Sequence, residues 1–581
     1  MVRLLTLTFC ALLLHFSSLH AQLLTDWARR YSVSDPIFSF GKNLNITAME
    51  ADESGNVYLA GFHRGALLNG QDTVSAPYDG AQTGFLQKKA PNGDIIWYRR
   101  LTMADLRDLK LKGGAVYLAG EVAPAEYGPV KVQTDEAGST TTLFAQGHRD
   151  GFIARYDLNG NLDWAKVYGG ADSEDLAKGD RLNSMEVDQN GYIYITGSYH
   201  RQMGFNTGAP TFSEPSDRGK TFYLAKLDPE GGLVWATDID SPVPIDGGNA
   251  EGTNLALTPE GAPVVALAYS AGGLLIDGEV LLNDNLDGDR GCLLLQYDTA
   301  GQRLWYRNIE PQEGLIAPFG LEVDASGQIV LGFAHEQQVL IDESEPLNYF
   351  ESEDDLLKSA LLAWDASGAL RWANTLFCSN AAMDVRPDGT IYIAAAAFRP
   401  AVALSPEVTL DFAPGGSVSL WARFSSGGSL AWAHQPILLG APPFSTNHNV
   451  LAGPAGKVYA SANFNRPLGF GNGWELTNGY SSPDFDALYW VQFDDSAVSS
   501  APSLATAALQ VFPNPARGYI QVRLPAAGTL ELWNMAGHLV WSAEREKGLQ
   551  LMALPKLPAG AYCLRARLPG RLFRQLLVIQ Q

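Results

Sequence analysis

Three histidines, His63, His200 and His335, hold like positions in alternate copies of a repeated pattern. Neutral imidazole is a common metal ligand, so matched histidines in a symmetric fold could converge as a metal-binding or ligand-binding ring. The competing expectation is a polar strand end that the pattern repeats, each histidine exposed and roughly 20 Å or more from the next. A second candidate is the run Asn283-Asp284-Asn285-Leu286-Asp287-Gly288-Asp289. Its donors Asn283, Asn285, Asp287 and Asp289 mimic an oxygen-rich calcium loop, but Leu294 stands where the distal glutamate would be. A solvated Asp/Asn/Gly turn explains the same residues. Calcium is therefore the one cation the sequence offers; no other cofactor is expected. The acidic runs Asp172–Asp175 (with Asp180) and Glu351–Asp355 read as solvated loops. There is no Gly-x-Ser-x-Gly elbow, no His-Glu-x-x-His and no phosphate-cradling loop. A carboxylate pair of the glycosidase kind stays open, because its spacing exists only in three dimensions.

Whatever these residues do, a repeat must position them. One unit reads VDQNGYIYITG (Val187–Gly197) and, after a variable stretch, FYLAKLDPEGGLVWATDI (Phe222–Ile239). Trp97, Trp164, Trp235, Trp305, Trp372 and Trp432 mark the second half in successive units, 60 to 71 residues apart. Each half is a hairpin. Asp157/Gly160, Asp228/Gly231, Asp298/Gly301 and Asp365/Gly368 bracket a turn in which the Asp side chain binds its own backbone and the Gly takes the left-handed position. The flanking segments, such as YIYIT and LVWAT, are rich in β-branched and aromatic residues.

Two hairpins give four strands per unit. A four-stranded sheet that is apolar on both faces must be covered by its neighbours, which predicts an all-β, seven-bladed β-propeller. The seventh unit has its third strand, Leu488–Phe493, but no tryptophan strand after it. Thr25-Asp26-Trp27-Ala28-Arg29-Arg30-Tyr31 matches Leu162–Tyr168, so the N-terminal strand is expected to close the ring and remove its open edges. The links other than the Asp-x-x-Gly turns are long, and any site is expected on the face they share.

These units resemble the β-propeller repeats of exported bacterial proteins, with Asp150-Gly151-Phe152 through Gly197 as the closest stretch and residues 22–497 covered. The Asp-x-x-Gly-x-x-x-Trp hairpin also resembles quinoprotein dehydrogenase repeats. Those pair their cofactor with a vicinal cysteine disulfide, and no Cys-Cys occurs here, so no quinone is expected.

Both ends carry addresses. Arg3, the apolar stretch Leu4–Phe16 and Ala21 read as a secretory signal over residues 1–21, and no later segment offers 18 consecutive apolar residues. Residues 498–508 read as a small-residue linker. From Ala507 onward the chain has nine Lys+Arg and three Asp+Glu, against 41 and 63 overall and a net charge of -22. That acidic balance excludes a phosphate-tracking nucleic-acid binder. Mature cysteines Cys292, Cys378 and Cys563 are too few for a disulfide framework and read as small buried hydrophobes.

Residues 509–581 carry Pro513-Asn514-Pro515, then a Trp-Asn-Met-Ala-Gly turn ending at Gly537, then Leu557-Pro558-Ala559-Gly560-Ala561-Tyr562. The strands between them read as a small immunoglobulin-like β-sandwich. In order and in distance from the terminus, these motifs resemble the type A C-terminal sorting domain of the type IX secretion system. The resemblance implies the secretion machinery as a partner and export across the outer membrane to the cell surface or beyond. The function expected is a surface binding or scaffold module for a glycan or protein ligand. The alternative is a secreted polysaccharide-active enzyme with a carboxylate pair in the axial pocket.

Overall fold

The structure is a computed structural model. It describes residues 25–495 and 511–579, except 35–43, 70–71, 76–81, 123–127, 171–178, 206–209, 214–218, 240–248, 271–273, 277–278, 282–289, 312–313, 337–338, 343–357, 377, 398–400, 406–407, 412–415, 440–442, 471–472, 481–486, 513–518, 525–526, 535–538, 546–547, 555–556, 559 and 569–570. The expected signal and linker lie outside the described residues. Among those described, the chain is antiparallel β-sheet with one short 3₁₀ turn at Pro454–Gly456. It separates into two compact units between Val498 and Ser499.

The larger unit contains, among the described residues, seven antiparallel four-strand meanders. Six follow chain order. The first runs Leu44–Ala51, Val57–His63, Thr83–Lys89, Ile95–Thr102, and the third runs Arg181–Val187, Ile193–Tyr199, Thr221–Leu227, Leu233–Ile239. The middle strands are buried along their length, as in Ala115–Val122 and Ile391–Ala397. Their apolar residues point to both faces, so each sheet needs a cover on each side. Neighbouring sheets supply it: Tyr58, Leu86 and Trp97 of the first pack with Leu106, Val116 and Phe152 of the second. The first strands touch one another in sequence, and that of the last sheet, Ser445–Ala452, touches Leu44–Ala51 again. Each first strand therefore has another first strand on either side.

The seventh sheet is assembled from both ends of the unit. Ser445–Ala452, Lys457–Phe464 and Ala487–Asp494 are followed by Thr25–Val33 as the outer strand. Trp27 pairs with Gln492, Ala28 with Val491 and Arg30 with Tyr489. The match between Trp27 and Trp164 in the sequence predicts this pairing. Trp27 also packs on Trp490, ring centres 4.4 Å apart.

The repeated tryptophan is a clasp between sheets. Asp157 Oδ1 accepts the N–H groups of Asn159 and Asn161 at 2.9 and 2.8 Å, and Gly160 has φ +78°. Trp97 of the preceding sheet lies against that glycine and donates Nε1–H to the Leu158 carbonyl at 3.0 Å. The same bond runs from Trp27 to Pro91, Trp235 to Thr299, Trp305 to Ala366 and Trp372 to Ser426, at 2.9 to 3.3 Å. A Cβ at Gly301 or Gly368 would come within 2.9 Å of the clasping indole. The glycine therefore serves the turn and the clasp together.

Trp432 is different, because the outer strand beside Ala487–Asp494 is Thr25–Val33, from the other end of the unit. Its Nε1–H goes to Asp495 Oδ1 at 2.9 Å. Asp495 is 5% exposed, accepts the Tyr392 hydroxyl at 2.6 Å, and faces Arg386 and Arg423 at 3.4 and 3.2 Å.

The smaller unit has a three-stranded sheet (Val511–Phe512, Tyr519–Leu524, Gly548–Ala553) and a four-stranded sheet (Leu539–Arg545, Gly528–Asn534, Gly560–Leu568, Arg571–Ile579). Ile520 and Val522 of one share a core with Leu530, Leu532, Leu564 and Ala566 of the other.

Candidate functional site

The site grows from an irregularity shared by all seven first strands. Each carries a bulge against its second strand, for example between Ile46 and Ala48, Leu106 and Asp108, Leu182 and Ser184, and Gly252 and Asn254. A bulge re-aims a side chain that the pleat would send into the sheet interface. The second strand's repeated glycine allows the first strand this close: a Cβ on Gly120 would stand 2.5 Å from the Asp105 carbonyl.

Beyond the bulge, seven residues hold one equivalent register position: Glu50, Lys110, Glu186, Ala256, Glu322, Asp384 and Leu451. The five charged ones line a single axial cavity of about 840 Å³, together with Asp108. Lys110 Nζ lies 2.6 Å from Glu186 Oε1 and 3.9 Å from Asp108 Oδ1. Asp108 Oδ2 accepts the Met185 N–H at 2.8 Å and the Ser184 hydroxyl at 3.2 Å. Asp384 accepts the Ala452 N–H at 2.6 Å. Side chains thus satisfy the edge of the neighbouring strand, which no further strand covers.

Burial and mutual repulsion set the ionisation of this ring. Burial pushes Glu50 up to about 8; Lys110 opposes the shift, and Glu186, Asp384 and Asp108 add to it. Burial likewise holds Glu322 well above the usual carboxylate range, and raises Glu186 and Asp384. Burial works against the Lys110 ammonium, but Asp108, Glu186, Glu50 and Glu322 outweigh it and keep the lysine charged. One cation stabilises part of a carboxylate ring, burial pushes the other carboxyls upward, and Glu50, at about 8, holds its proton at neutral pH.

The cavity reaches Lys112, at the end of a first strand, and Asp52, Pro387 and Gly453–Gly456 in the tight turns between first and second strands. The cavity therefore extends to the tight-turn side as well as toward the long-connection face on which a site is expected. The bulges turn polar side chains toward the axis along the strands themselves.

The histidines do not converge. His63 and His335 end, and His200 directly follows, the second strands of three separate sheets, and all three are buried, not exposed. His63 Nδ1 is 2.8 Å from the Gly65 carbonyl and Nε2 is 3.0 Å from the Tyr98 hydroxyl. Burial lowers its pKa to about 4, against the pull of the Gly65 bond. Asp180 accepts the N–H groups of Gly170 and His200 at 2.8 and 2.9 Å, a structural use. Asn283, Asn285, Asp287 and Asp289 lie outside the described residues, as do Pro513, Asn514, Pro515 and Gly537. Among the described residues no group of three or more His, Cys, Asp or Glu is placed to hold a metal ion. Cys292 and Cys378 are free and buried. In the tail, the Tyr562 hydroxyl donates to the Pro558 carbonyl at 2.9 Å, folding the Leu557-to-Tyr562 motif back on itself as Gly560 opens its strand.

Nothing in the sequence reading pointed to Glu50, Lys110, Glu186, Glu322 or Asp384. A signal existed: Glu50-Ala51-Asp52, Glu186-Val187-Asp188 and Glu322-Val323-Asp324 put a charge at one fixed place before the turn.

Residues 510–580 match the family model of a secretion system C-terminal sorting domain. The type IX tail directs the chain across the outer membrane to the cell surface or extracellular space, with the secretion machinery as its partner. No helix among the described residues is long and apolar enough to cross a membrane. No curated protein matches the chain. Among solved structures, it is similar to PorZ, a surface component of the type IX secretion system of Porphyromonas gingivalis (11% identity, 94% of this chain, 100% of that one, TM-score 0.14). It is also similar to the polysaccharide lyase PL25 ulvan lyase (10%, 73% and 91%, TM-score 0.36) and to extracellular domains 1–2 of Drosophila semaphorin 1b (8%, 81% and 87%, TM-score 0.34).

Proposed function

We propose that the chain is an exported surface binding protein. Residues 22–497 form a seven-bladed β-propeller closed by its N-terminal strand, 498–508 are the linker, and 509–581 are an immunoglobulin-like sorting domain. The ligand site is the axial channel. The observation that supports this is the convergence of Glu50, Lys110, Glu186, Glu322 and Asp384 on one cavity of about 840 Å³, a volume in the range of small-ligand sites. No metal or cofactor takes part in this reading.

The test is a ligand array of glycans and small charged compounds, probed with the mature chain with and without calcium. Binding that weakens about tenfold or more in Glu186→Gln and Glu322→Gln supports the reading. Unchanged binding in both variants contradicts it. The calcium arm decides whether Asn283–Asp289 acts as an ion loop.

A second reading has one observation in its favour. A carboxyl pushed up to about 8 holds its proton at neutral pH, as a general acid must. If the channel cleaves polysaccharide, wild type releases reducing ends and Glu50→Gln does so at least about a hundredfold more slowly. Ligand bound without any product opposes catalysis.

A further inference from the structure

At the channel end opposite the tight turns, the chemistry reverses. Arg107 is the bulge residue of the second sheet and lines the cavity. Its Nε and Nη2 bind Glu121 Oε1 at 3.1 and 3.0 Å, and Nη2 also meets Asp105 at 3.0 Å. Arg149, just before its sheet's third strand, donates Nη1–H to the other Glu121 oxygen at 2.7 Å. Arg181, at the start of the next sheet's first strand, reaches Glu251 at 3.3 Å through Nη1, and Asn183 donates to the same oxygen at 2.8 Å. Lys220 stands in the same field. Burial lowers its pKa; Glu251 and Glu121 counter this, while Arg181 and Arg149 reinforce it.

These four cations meet Asp105, Glu121 and Glu251, with Asp180 close by and engaged by backbone N–H groups. The acids and the cations are not equally placed. Glu121 is 1% exposed, whereas the Arg149 and Arg181 side chains are 32% and 35% exposed. Glu121 lies behind Arg149 and fixes its guanidinium plane, while Glu251, 24% exposed, sits beside the more exposed Arg181. Among the described residues each of these two arginines uses one nitrogen, Nη1, on its carboxylate. The Nε and Nη2 donors, the fork that grips an oxyanion, remain for another partner. A guanidinium pre-oriented by a buried acid loses little freedom on binding. On a chain of net charge -22, this is a place where an anion meets oriented donors.

We propose that Arg149 and Arg181, with Lys220 and Arg107, form an oxyanion-recognition site on the long-connection face. It takes the carboxylate, sulfate or phosphate group of an extracellular ligand. The proposal rests on the binding reading above and names the chemistry of its ligand.

The test is calorimetric titration of the mature chain with inorganic sulfate, inorganic phosphate and an oligogalacturonate, at low and high salt. A neutral dextran oligomer of matched length is the control. At least one anion binds, more weakly at high salt, and the dextran does not. Arg149→Gln/Arg181→Gln weakens the bound anion at least about tenfold, whereas Arg371→Gln, on an outer strand, has no effect. Because the double variant strips two carboxylates of their arginines, Lys220→Gln is tested beside it, with thermal unfolding as the folding check; it weakens binding about threefold or more. The oligogalacturonate arm against the two inorganic ions separates a glycan carboxylate from a free ion. No binding of any anion, or equal binding by the folded variants, overturns the proposal. A ligand on the array that depends on Glu186 and Glu322 but not on Arg149 and Arg181 would overturn it while leaving the binding reading intact.

Discussion

Six sheets of the ring are drawn from continuous chain, and the seventh is joined from two ends; the two kinds are clasped differently. At five observed seams a tryptophan gives its N–H to a backbone carbonyl inside a hairpin turn. Where the outer strand comes from the other end of the unit, a side-chain carboxylate is the acceptor instead, and Asp495 gathers Trp432, Tyr392, Arg386 and Arg423. A carbonyl held by a turn is neutral and already fixed. A carboxylate must leave water and needs several donors to offset that cost. The comparison teaches that the clasp is a requirement of the architecture, met by whatever acceptor the chain can supply at that place.

The comparison breaks most visibly at Asp495. Asp495→Ala leaves two arginines, an indole and a phenol without their acceptor, and is expected to cost about 3 kcal/mol, lowering the denaturant midpoint. Trp235→Phe at an ordinary seam removes one neutral bond and costs about 1 kcal/mol. Equal losses from the two variants would mean that the seventh seam carries no special load.

The repeat, the turns and the closing strand were legible in the sequence because each is local or periodic. Asp157 to Gly160 defines its own turn, and Trp27 matches Trp164 by its neighbours. The clasp was half legible: the fixed interval from Gly160 to Trp164 was visible, but the glycine's actual partner is Trp97, one sheet away. The axial ring was not legible. Glu50 and Lys110 are about 60 residues apart and meet only because the bulges turn both toward one axis. The histidines repeat in different sheets as polar strand ends, as the competing expectation has it, but they are buried where exposure was expected, because burial depends on the sheets packed around them.

The axial ring sharpens the comparison through pH. Glu50 has an ordinary pKa of 4.5, which the fold raises to about 8. Between those values the unfolded chain has lost this proton and the folded chain keeps it, so stability falls as pH rises from about 4.5 to 8. Glu50→Gln removes that part of the slope, seen as a flatter profile of unfolding free energy across the same window. An unchanged slope in Glu50→Gln would show that the ring does not hold this proton.

Hydrogen exchange of the mature chain probes the closure itself, amide by amide along Trp27–Tyr31. Protection on the same timescale as Leu488–Phe493 is the expected result, since the two segments share one ladder. Exchange within seconds at Trp27–Tyr31, beside a protected Leu488–Phe493, would show a frayed terminus and an open ring.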